Sequence, residues 1–178
     1  MSEFSVRAAE RRDLDGLSRV YNHYVATSTA TFDLTPPSPE QYRTWFAEHA
    51  GGRHQAWVAT GVGDAVAGFA YSGPFRPRRA YDTTVEVSVY LAPESVGRGL
   101  GGRLYRALFD SLCDEELHRA LAVIALPNPA SVALHTRWGF REVGRLHEVG
   151  WKFGQFWDVA FFERPLARGV RVEPEAKR

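Results

Sequence analysis

The order of apolar and polar residues predicts alternating strands and helices along the whole chain. Apolar residues that recur every three or four positions predict helices over four segments: Asp13–Ala26, Pro39–Glu48, Leu100–Glu116 and Pro129–Trp138. Short apolar or alternating runs predict strands: Phe4–Ala8, Ala56–Thr60, Val66–Tyr71, Thr84–Leu91, Leu121–Leu126, Phe140–Val149 and Trp157–Glu163. This order is typical of an α/β (α+β) protein in which a mixed sheet is flanked by helices.

Composition narrows the class of partner. The chain has 178 residues, of which 44% are hydrophobic, and this is enough for one domain, predicted over 1–167 with a charged, flexible tail over 168–178. The 22 Lys and Arg nearly balance the 21 Asp and Glu, so we expect small-molecule partners, with no nucleic acid and no membrane. The single cysteine, Cys113, and a start without the apolar core of a signal peptide predict a cytoplasmic protein with a buried thiol.

A glycine-rich turn after the strand Thr84–Leu91 is the first candidate for chemistry. Gly97, Gly99, Gly101 and Gly102 lie just where a helix is predicted to open. Glycines let the backbone approach a ligand, and the N–H groups at a helix start are free donors for phosphate oxygens. The turn therefore suits a pyrophosphate group, although a flexible connection without a ligand explains it equally well.

A second motif decides between these interpretations. Leu126-Pro127-Asn128 follows a predicted strand and opens a helix that ends in Gly139-Phe140. This segment resembles the acyl-CoA-binding signature of the GNAT superfamily, with Asn128, Ser131 and His135 at its characteristic places. The glycine turn resembles the pyrophosphate loop of the same superfamily, except that Val96 stands where Gln or Arg is expected. The resemblance implies acetyl-CoA as co-substrate, gripped at the pyrophosphate by backbone N–H groups.

A closer resemblance runs from Tyr21-Asn22-His23-Tyr24-Val25 to Trp157-Asp158-Val159 and points to the phosphinothricin and methionine sulfoximine N-acetyltransferases. It implies the GNAT fold, a mixed and mostly antiparallel sheet splayed between its fourth and fifth strands. It also implies direct acetyl transfer, in a ternary complex, to the amino group of a small amino-acid-like acceptor. Relatives are commonly dimers, so a homodimer is expected, with Trp151–Trp157 as either interface or core.

Three positions are candidates for catalysis. Glu86 lies mid-strand among valines, where burial would raise the pKa of its carboxyl and make it a general base; a strand glutamate facing solvent is the alternative that the resemblance disfavours. Backbone N–H groups around Val89 would polarise the thioester carbonyl. His135 lies where relatives place a proton-carrying residue, and a packing histidine is its alternative.

The resemblance places cofactor contacts on three segments, and Ser131 has a helix cap as its alternative role. The expected cofactor-binding residues are Val89, Tyr90, Leu91, Gly97, Arg98, Gly99, Leu100, Gly101, Gly102, Asn128 and Ser131. The amide of Asn128 offers both a donor and an acceptor to the pantetheine arm, whereas a turn-forming Asn between two prolines is its alternative.

The basic loop before the Glu86 strand is the candidate acceptor site. Arg78 with Tyr81 and Phe75 would suit an anionic amino acid, because arginine binds carboxylates and phosphinates through paired N–H groups; a solvated loop is the alternative.

The remaining histidines lack metal-ligand spacing, so no metal is expected. Acetylation of a protein N-terminus, a lysine, an aminoglycoside or a polyamine is the alternative activity, and a non-catalytic acyl-CoA-binding module the alternative class.

Overall fold

One eight-stranded sheet organises residues 4–166, the part of the chain that the computed structural model describes. The strands are β1 Ser5–Ala8, β2 Ala50–Gly51, β3 His54–Thr60, β4 Val66–Pro74, β5 Thr84–Leu91, β6 Arg119–Leu126, β7 Arg141–Lys152 and β8 Gln155–Pro165. The order across the sheet is β1-β3-β4-β5-β6-β8-β7, with the short β2 paired to β3. Neighbouring strands are antiparallel except β5 and β6, which are parallel. The predicted mixed, mostly antiparallel sheet is confirmed.

Four helices cover the two faces of this sheet: α1 Leu14–Thr27, α2 Pro39–Glu48, α3 Leu100–Leu112 and α4 Pro129–Arg137. The apolar stripe of α3, including Leu104 and Leu108, packs on the side of the sheet to which Val85 and Val87 point. Leu17 and Val20 of α1 pack on the opposite side with Phe69. Side chains alternate between the two faces of a strand, so Glu86, between Val85 and Val87, lies on the α1 side.

The sheet opens between β5 and β6. Their pairing covers three register positions and ends where Glu86 lies opposite Leu121. Beyond that point β5 continues to Leu91 paired only with β4, and β6 continues to Leu126 paired only with β8. If the two-residue β2 is not counted, these are the fourth and fifth strands, so the gap lies where the splay was expected.

Helix α3 is shorter than its periodicity predicts. It ends at Leu112 rather than Glu116, because acidic residues in the last turn face the negative end of the helix dipole and Leu117 turns back into the core. Cys113 follows the last helical residue and is only half-buried. The expectation of a buried thiol is therefore wrong.

The final hairpin is longer than predicted. Its strands extend to Lys152 and start again at Gln155, joined by Phe153 and Gly154. Both turn residues have positive φ, 52° and 76°, which matches the right-handed twist of paired strands. The predicted tail 168–178 lies outside the described residues. Within residues 4–166 no helix is long and apolar enough to cross a bilayer.

Candidate active site

The gap between β5 and β6 forms a cavity of about 370 Å³. Val87 to Leu91 of β5 line one wall, and Ala122 to Ala125 of β6 line the other. Ser28, Thr29 and Ala30, which follow α1, close one side. The beginning of α4, from Asn128, closes another. Two of the predicted cofactor segments, the end of β5 and the start of α4, therefore lie in the same cavity.

The end of β5 presents backbone donors to this cavity. The N–H of Ala92 donates to the carbonyl of Ala67, just beyond the paired part of β4. Because N–H directions alternate along a strand, Val89 and Leu91 point their N–H groups away from β4, into the gap. The same alternation directs the N–H of Tyr90 to β4, so Tyr90 does not offer the free donor that was expected of it. Val89 therefore offers a donor on the side of β5 that has no partner strand beyond Glu86.

The side chain of Tyr90 lies on the α1 side of the sheet. Its ring stacks on Phe69 at 5.4 Å and its hydroxyl donates to the carbonyl of Ala30. The carbonyl of Leu91 accepts a hydrogen bond from the Tyr24 hydroxyl at 2.7 Å. Tyr90 and Tyr24 therefore brace the cleft wall.

The glycine turn has the shape of an anion cradle. Gly97 and Gly99 have φ of 80° and 76°, which glycine adopts without strain. No atom lies within 4 Å of a Cβ built at either position. Gly99 caps α3 without any side-chain hydrogen bond, so the N–H groups of Leu100, Gly101 and Gly102 are the donors that a helix start leaves for an anion.

Side chains around this turn have structural tasks. Leu100 is fully buried, and a Cβ on Gly101 would lie 3.0 Å from Leu134, so Gly101 lets α3 approach α4. The guanidinium of Arg98 lies over the Phe4 ring at 4.6 Å. Val96 is 55% exposed and lines the cavity. The residues present fit a pyrophosphate held by the main chain.

Asn128 is the cap of α4. Its side-chain oxygen accepts from the N–H of Ser131 at 3.1 Å, which satisfies a free donor of the first turn. Ser131 is therefore not the cap, and that alternative is wrong. The amide NH₂ of Asn128 remains available to a ligand in the cavity that the residue lines.

His135 lies one turn further along α4 and is only 3% exposed. Its Nδ1 lies 2.8 Å from the carbonyl of Ser131, so Nδ1 carries the hydrogen and Nε2 accepts from the Tyr105 hydroxyl at 2.7 Å. Burial lowers the pKa of His135 to about 4. The ring is neutral at pH 7 and both of its nitrogens are engaged.

Glu86 is the last residue of β5 that pairs with β6, where it lies opposite Leu121, and on its other side it pairs with Gly73 of β4. Burial raises the pKa of its carboxyl, and the charge of Arg76 opposes that shift. Within residues 4–166 the carboxylate accepts no hydrogen bond from a side chain. A half-buried carboxylate with a raised pKa at the mouth of a cleft is suited to accept a proton.

The loop between β4 and β5 brings the predicted acceptor residues together. Phe75 and Tyr81 are in edge contact, with ring centroids 5.7 Å apart, and Arg76 lies over the Phe75 ring at 4.6 Å. Arg78 is exposed between them. The loop leaves β4 one register position beyond Gly73 and Glu86, which brings Arg76 close enough for its charge to act on the carboxylate.

Sequence reasoning missed several residues that shape the site. Tyr105 was assigned only to a helix, and no local pattern pairs it with a residue thirty positions away. Lys152 is 3% exposed and donates to the carbonyls of Ser28 and Thr31 in the cleft wall. The charge of Arg76, in the basic loop, acts on Glu86, and this interaction had no signal in the sequence. Within residues 4–166 no group of three His, Cys, Asp or Glu could hold a metal ion.

The chain matches one protein-family model. Residues 6–161 match a domain described as an acetyltransferase (GNAT) domain. The match includes every strand of the sheet and all four helices, except the two ends of the described chain.

Individual proteins resemble the chain over nearly its full length. It is 49% identical over 167 residues to a phosphinothricin N-acetyltransferase of Streptomyces coelicolor, covering 93% of this chain and 98% of that protein. It is 36% identical over 162 residues to an L-methionine sulfoximine/L-methionine sulfone acetyltransferase of Pseudomonas paraeruginosa, covering 91% and 94%. A solved phosphinothricin acetyltransferase from Sinorhizobium meliloti, in complex with AcCoA, superposes with a TM-score of 0.89 at 34% identity, covering 98% and 94%.

Proposed function

The chain belongs to the GNAT acetyltransferases, and from that premise we propose that it acetylates the amino group of a small anionic amino acid of the phosphinothricin or methionine sulfoximine type. Acetyl-CoA-dependent N-acetyl transfer is the activity of the enzyme. The proposed class of acceptor is supported above all by the position of Glu86, which lies between the open cleft and the loop that contains Arg76 and Arg78.

Acetyl-CoA supplies an activated acetyl group as a thioester, and the cleft offers contacts along its length. The N–H groups at the start of α3, with Gly97 and Gly99, would hold the pyrophosphate. The amide of Asn128 would bind the pantetheine arm. The N–H of Val89 would stabilise negative charge on the carbonyl oxygen as the amine attacks.

Glu86 is the general base. An amino group is mostly protonated at neutral pH and must lose a proton before its nitrogen can form the C–N bond. One ammonium proton goes to Glu86, one leaves the tetrahedral intermediate and reaches the CoA sulfur when the C–S bond breaks, and one stays on the amide nitrogen. His135 lines the cavity together with Ser131. The low pKa of His135 favours Glu86 over His135 as the base.

The acceptor's anionic groups would bind the loop after β4. Arg76 and Arg78 carry charges there, and guanidinium groups bind carboxylate or phosphinate oxygens in pairs. Phe75 and Tyr81 form an aromatic edge beside them. A polyamine or an aminoglycoside carries positive charge that this loop would repel.

A second copy of the chain is the partner that we infer for β7. This edge strand is exposed at every position from Arg141 to Val149. It carries apolar Val143 and Leu146, which are 47% and 48% exposed. Its charged side chains have both signs, so two copies can pair antiparallel without like charges stacking.

We place the enzyme in the cytoplasm, because Cys113 is a free thiol and so fits a reducing compartment.

The acceptor is tested by measuring release of the CoA thiol. The purified enzyme is given acetyl-CoA with phosphinothricin, methionine sulfoximine, methionine sulfone, spermidine, an aminoglycoside or lysine peptides. Turnover is expected with the small anionic and sulfoximine amino acids. Thiol release confined to the cationic acceptors, or no release with any small amino acid, would overturn the proposed acceptor class.

Substitution of the base gives the sharpest test of the mechanism. Glu86→Gln keeps the shape of the side chain but cannot take a proton, so kcat/KM for the acceptor should fall by about 10²-fold or more, with the KM for acetyl-CoA unchanged. In the unaltered enzyme kcat/KM should fall as the pH falls through a pKa above the ordinary 4.5 of a glutamate, because burial raises the pKa of Glu86. Glu94→Gln, at an exposed acid beyond β5, is the control and should match the unaltered enzyme.

A further inference from the structure

His49, which follows the last residue of α2, is a buried histidine that the mechanism above does not use. It is 6% exposed, and its ring stacks on Trp45 with centroids 4.6 Å apart. Nδ1 lies 2.6 Å from the Trp45 carbonyl. A carbonyl only accepts hydrogen bonds, so Nδ1 carries the hydrogen and Nε2 carries a lone pair. Within residues 4–166 no group donates to that lone pair.

The lone pair is directed at the strand position next to Glu86. A Cβ built on Gly73 would lie 3.1 Å from Nε2 of His49. Gly73 and Glu86 are direct partners in the β4–β5 register, and side chains of such partners share one face with Cβ atoms about 5 Å apart. Nε2 therefore lies next to the place that a side chain at position 73 would fill, on the face of the sheet that carries Glu86.

The groups around His49 keep its ring neutral. Glu48 precedes it, His54 of β3 lies 6.4 Å away between ring centroids, and the Tyr71 ring of β4 meets it edge-on at 5.3 Å. Glu86 lies on β5 as the register partner of Gly73, and the charge of Arg76 acts on it. Burial and His54 lower the pKa of His49, whereas the Trp45 carbonyl and Glu48 act in the opposite direction. At neutral pH the site thus combines one carboxylate with one uncharged acceptor of hydrogen bonds.

We propose that Nε2 of His49 accepts a hydrogen bond from the acceptor's amino group and holds it while Glu86 removes a proton. This inference rests on the proposed function, because it takes Glu86 as the base. An ammonium group has three N–H bonds. One points to Glu86, which takes its proton. A second donates to His49 the hydrogen that stays on the nitrogen in the amide product. Two fixed acceptors on one face orient the nitrogen, so the lone pair that deprotonation creates points toward the cleft between β5 and β6. His49 is a positioning residue and takes no proton.

Two substitutions separate this role from a structural one. His49→Asn can keep the donor to the Trp45 carbonyl but loses the acceptor at Nε2, whereas His49→Gln places an amide oxygen near the Nε2 position. We expect His49→Asn to lower kcat/KM for the amino-acid acceptor about tenfold, the effect of one hydrogen bond, with the KM for acetyl-CoA unchanged. His49→Gln should recover most of the loss. His54→Asn, at the neighbouring histidine, is the matched control and should stay within twofold.

Gly73→Ala tests the same contact from the opposite strand. Its new methyl group would lie 3.1 Å from Nε2 and must displace the ring, so it should also lower kcat/KM for the acceptor several-fold even if His49→Asn does not fold. Binding of acetyl-CoA, measured by calorimetry, reports whether each variant is folded. The role of His49 would be overturned if kcat/KM for the acceptor stayed within twofold of the unaltered enzyme in both His49→Asn and Gly73→Ala. It would also be overturned if His49→Gln were as impaired as His49→Asn. Full activity of Glu86→Gln would instead overturn the proposed base.

Discussion

His135 is a buried residue of the site whose neutral ring also affects the stability of the fold. It joins α4 to α3 through Tyr105 and holds Ser131 one turn back. These bonds suit the uncharged imidazole, because a second proton would displace the Tyr105 donor. The fold therefore excludes a proton that an unfolded chain would bind, and stability must depend on pH.

The sign of that dependence follows from the two pKa values. In the folded enzyme the pKa of His135 is about 4, below the ordinary 6.5 of a histidine, so between pH 6.5 and 4 only the unfolded chain is protonated there. The stability that the neutral ring contributes is complete above pH 6.5 and falls as the pH falls. Urea unfolding should give a lower free energy of unfolding at pH 5 than at pH 7. In His135→Asn this difference between the two pH values should be smaller by roughly 2 kcal/mol. If the free energy of unfolding fell equally in both proteins, the folded enzyme would not exclude a second proton from His135.

At the scale of elements, Lys152 joins the last hairpin to the cleft wall. Its ammonium group donates to the carbonyls of Ser28 and Thr31 at 2.8 and 2.7 Å. Nearby, a Cβ on Gly150 would overlap the ring of Phe32, so the segment after α1 lies directly against β7. The wall formed by Ser28, Thr29 and Ala30 is thus positioned by a strand more than a hundred residues away.

Removal of the ammonium group should loosen this wall. Lys152→Met leaves buried carbonyls unpaired, which should lower the free energy of unfolding by about 1–3 kcal/mol. Hydrogen exchange should become faster over residues 28–31, and the KM for acetyl-CoA should rise, because those residues line the cavity. Arg145→Met, on the exposed part of the same strand, is the control. Unchanged exchange over 28–31 in Lys152→Met would show that the wall holds without the lysine.

For the whole molecule, local patterns predicted the order of strands and helices because periodicity and turn residues act within a few positions. The resemblance of Asn128 and the glycine turn to known motifs likewise predicted which segments bind the cofactor. Contacts between distant elements had no local signal: Lys152 with Ser28, Tyr105 with His135 and His49 beside Gly73 depend on how the sheet aligns its strands. The aromatic hairpin Trp151–Trp157 fitted core or interface equally, and only the folded sheet shows which of its rings are exposed.

Those exposed rings lead to the last prediction, which concerns assembly. Trp151 and Phe156 are cross-strand partners with ring centroids 4.7 Å apart, yet they are 52% and 59% exposed. Aromatic side chains left in water at the end of an exposed edge strand are typical of a buried interface. Sedimentation should show a homodimer, and the double variant Trp151→Ser/Phe156→Ser should be a monomer. Because Gly150 and Lys152 in the same hairpin hold the cleft wall, the monomer should also have a higher KM for acetyl-CoA. Val62→Ser, in an exposed turn before β4, should remain dimeric, and a monomeric unaltered enzyme would refute the interface.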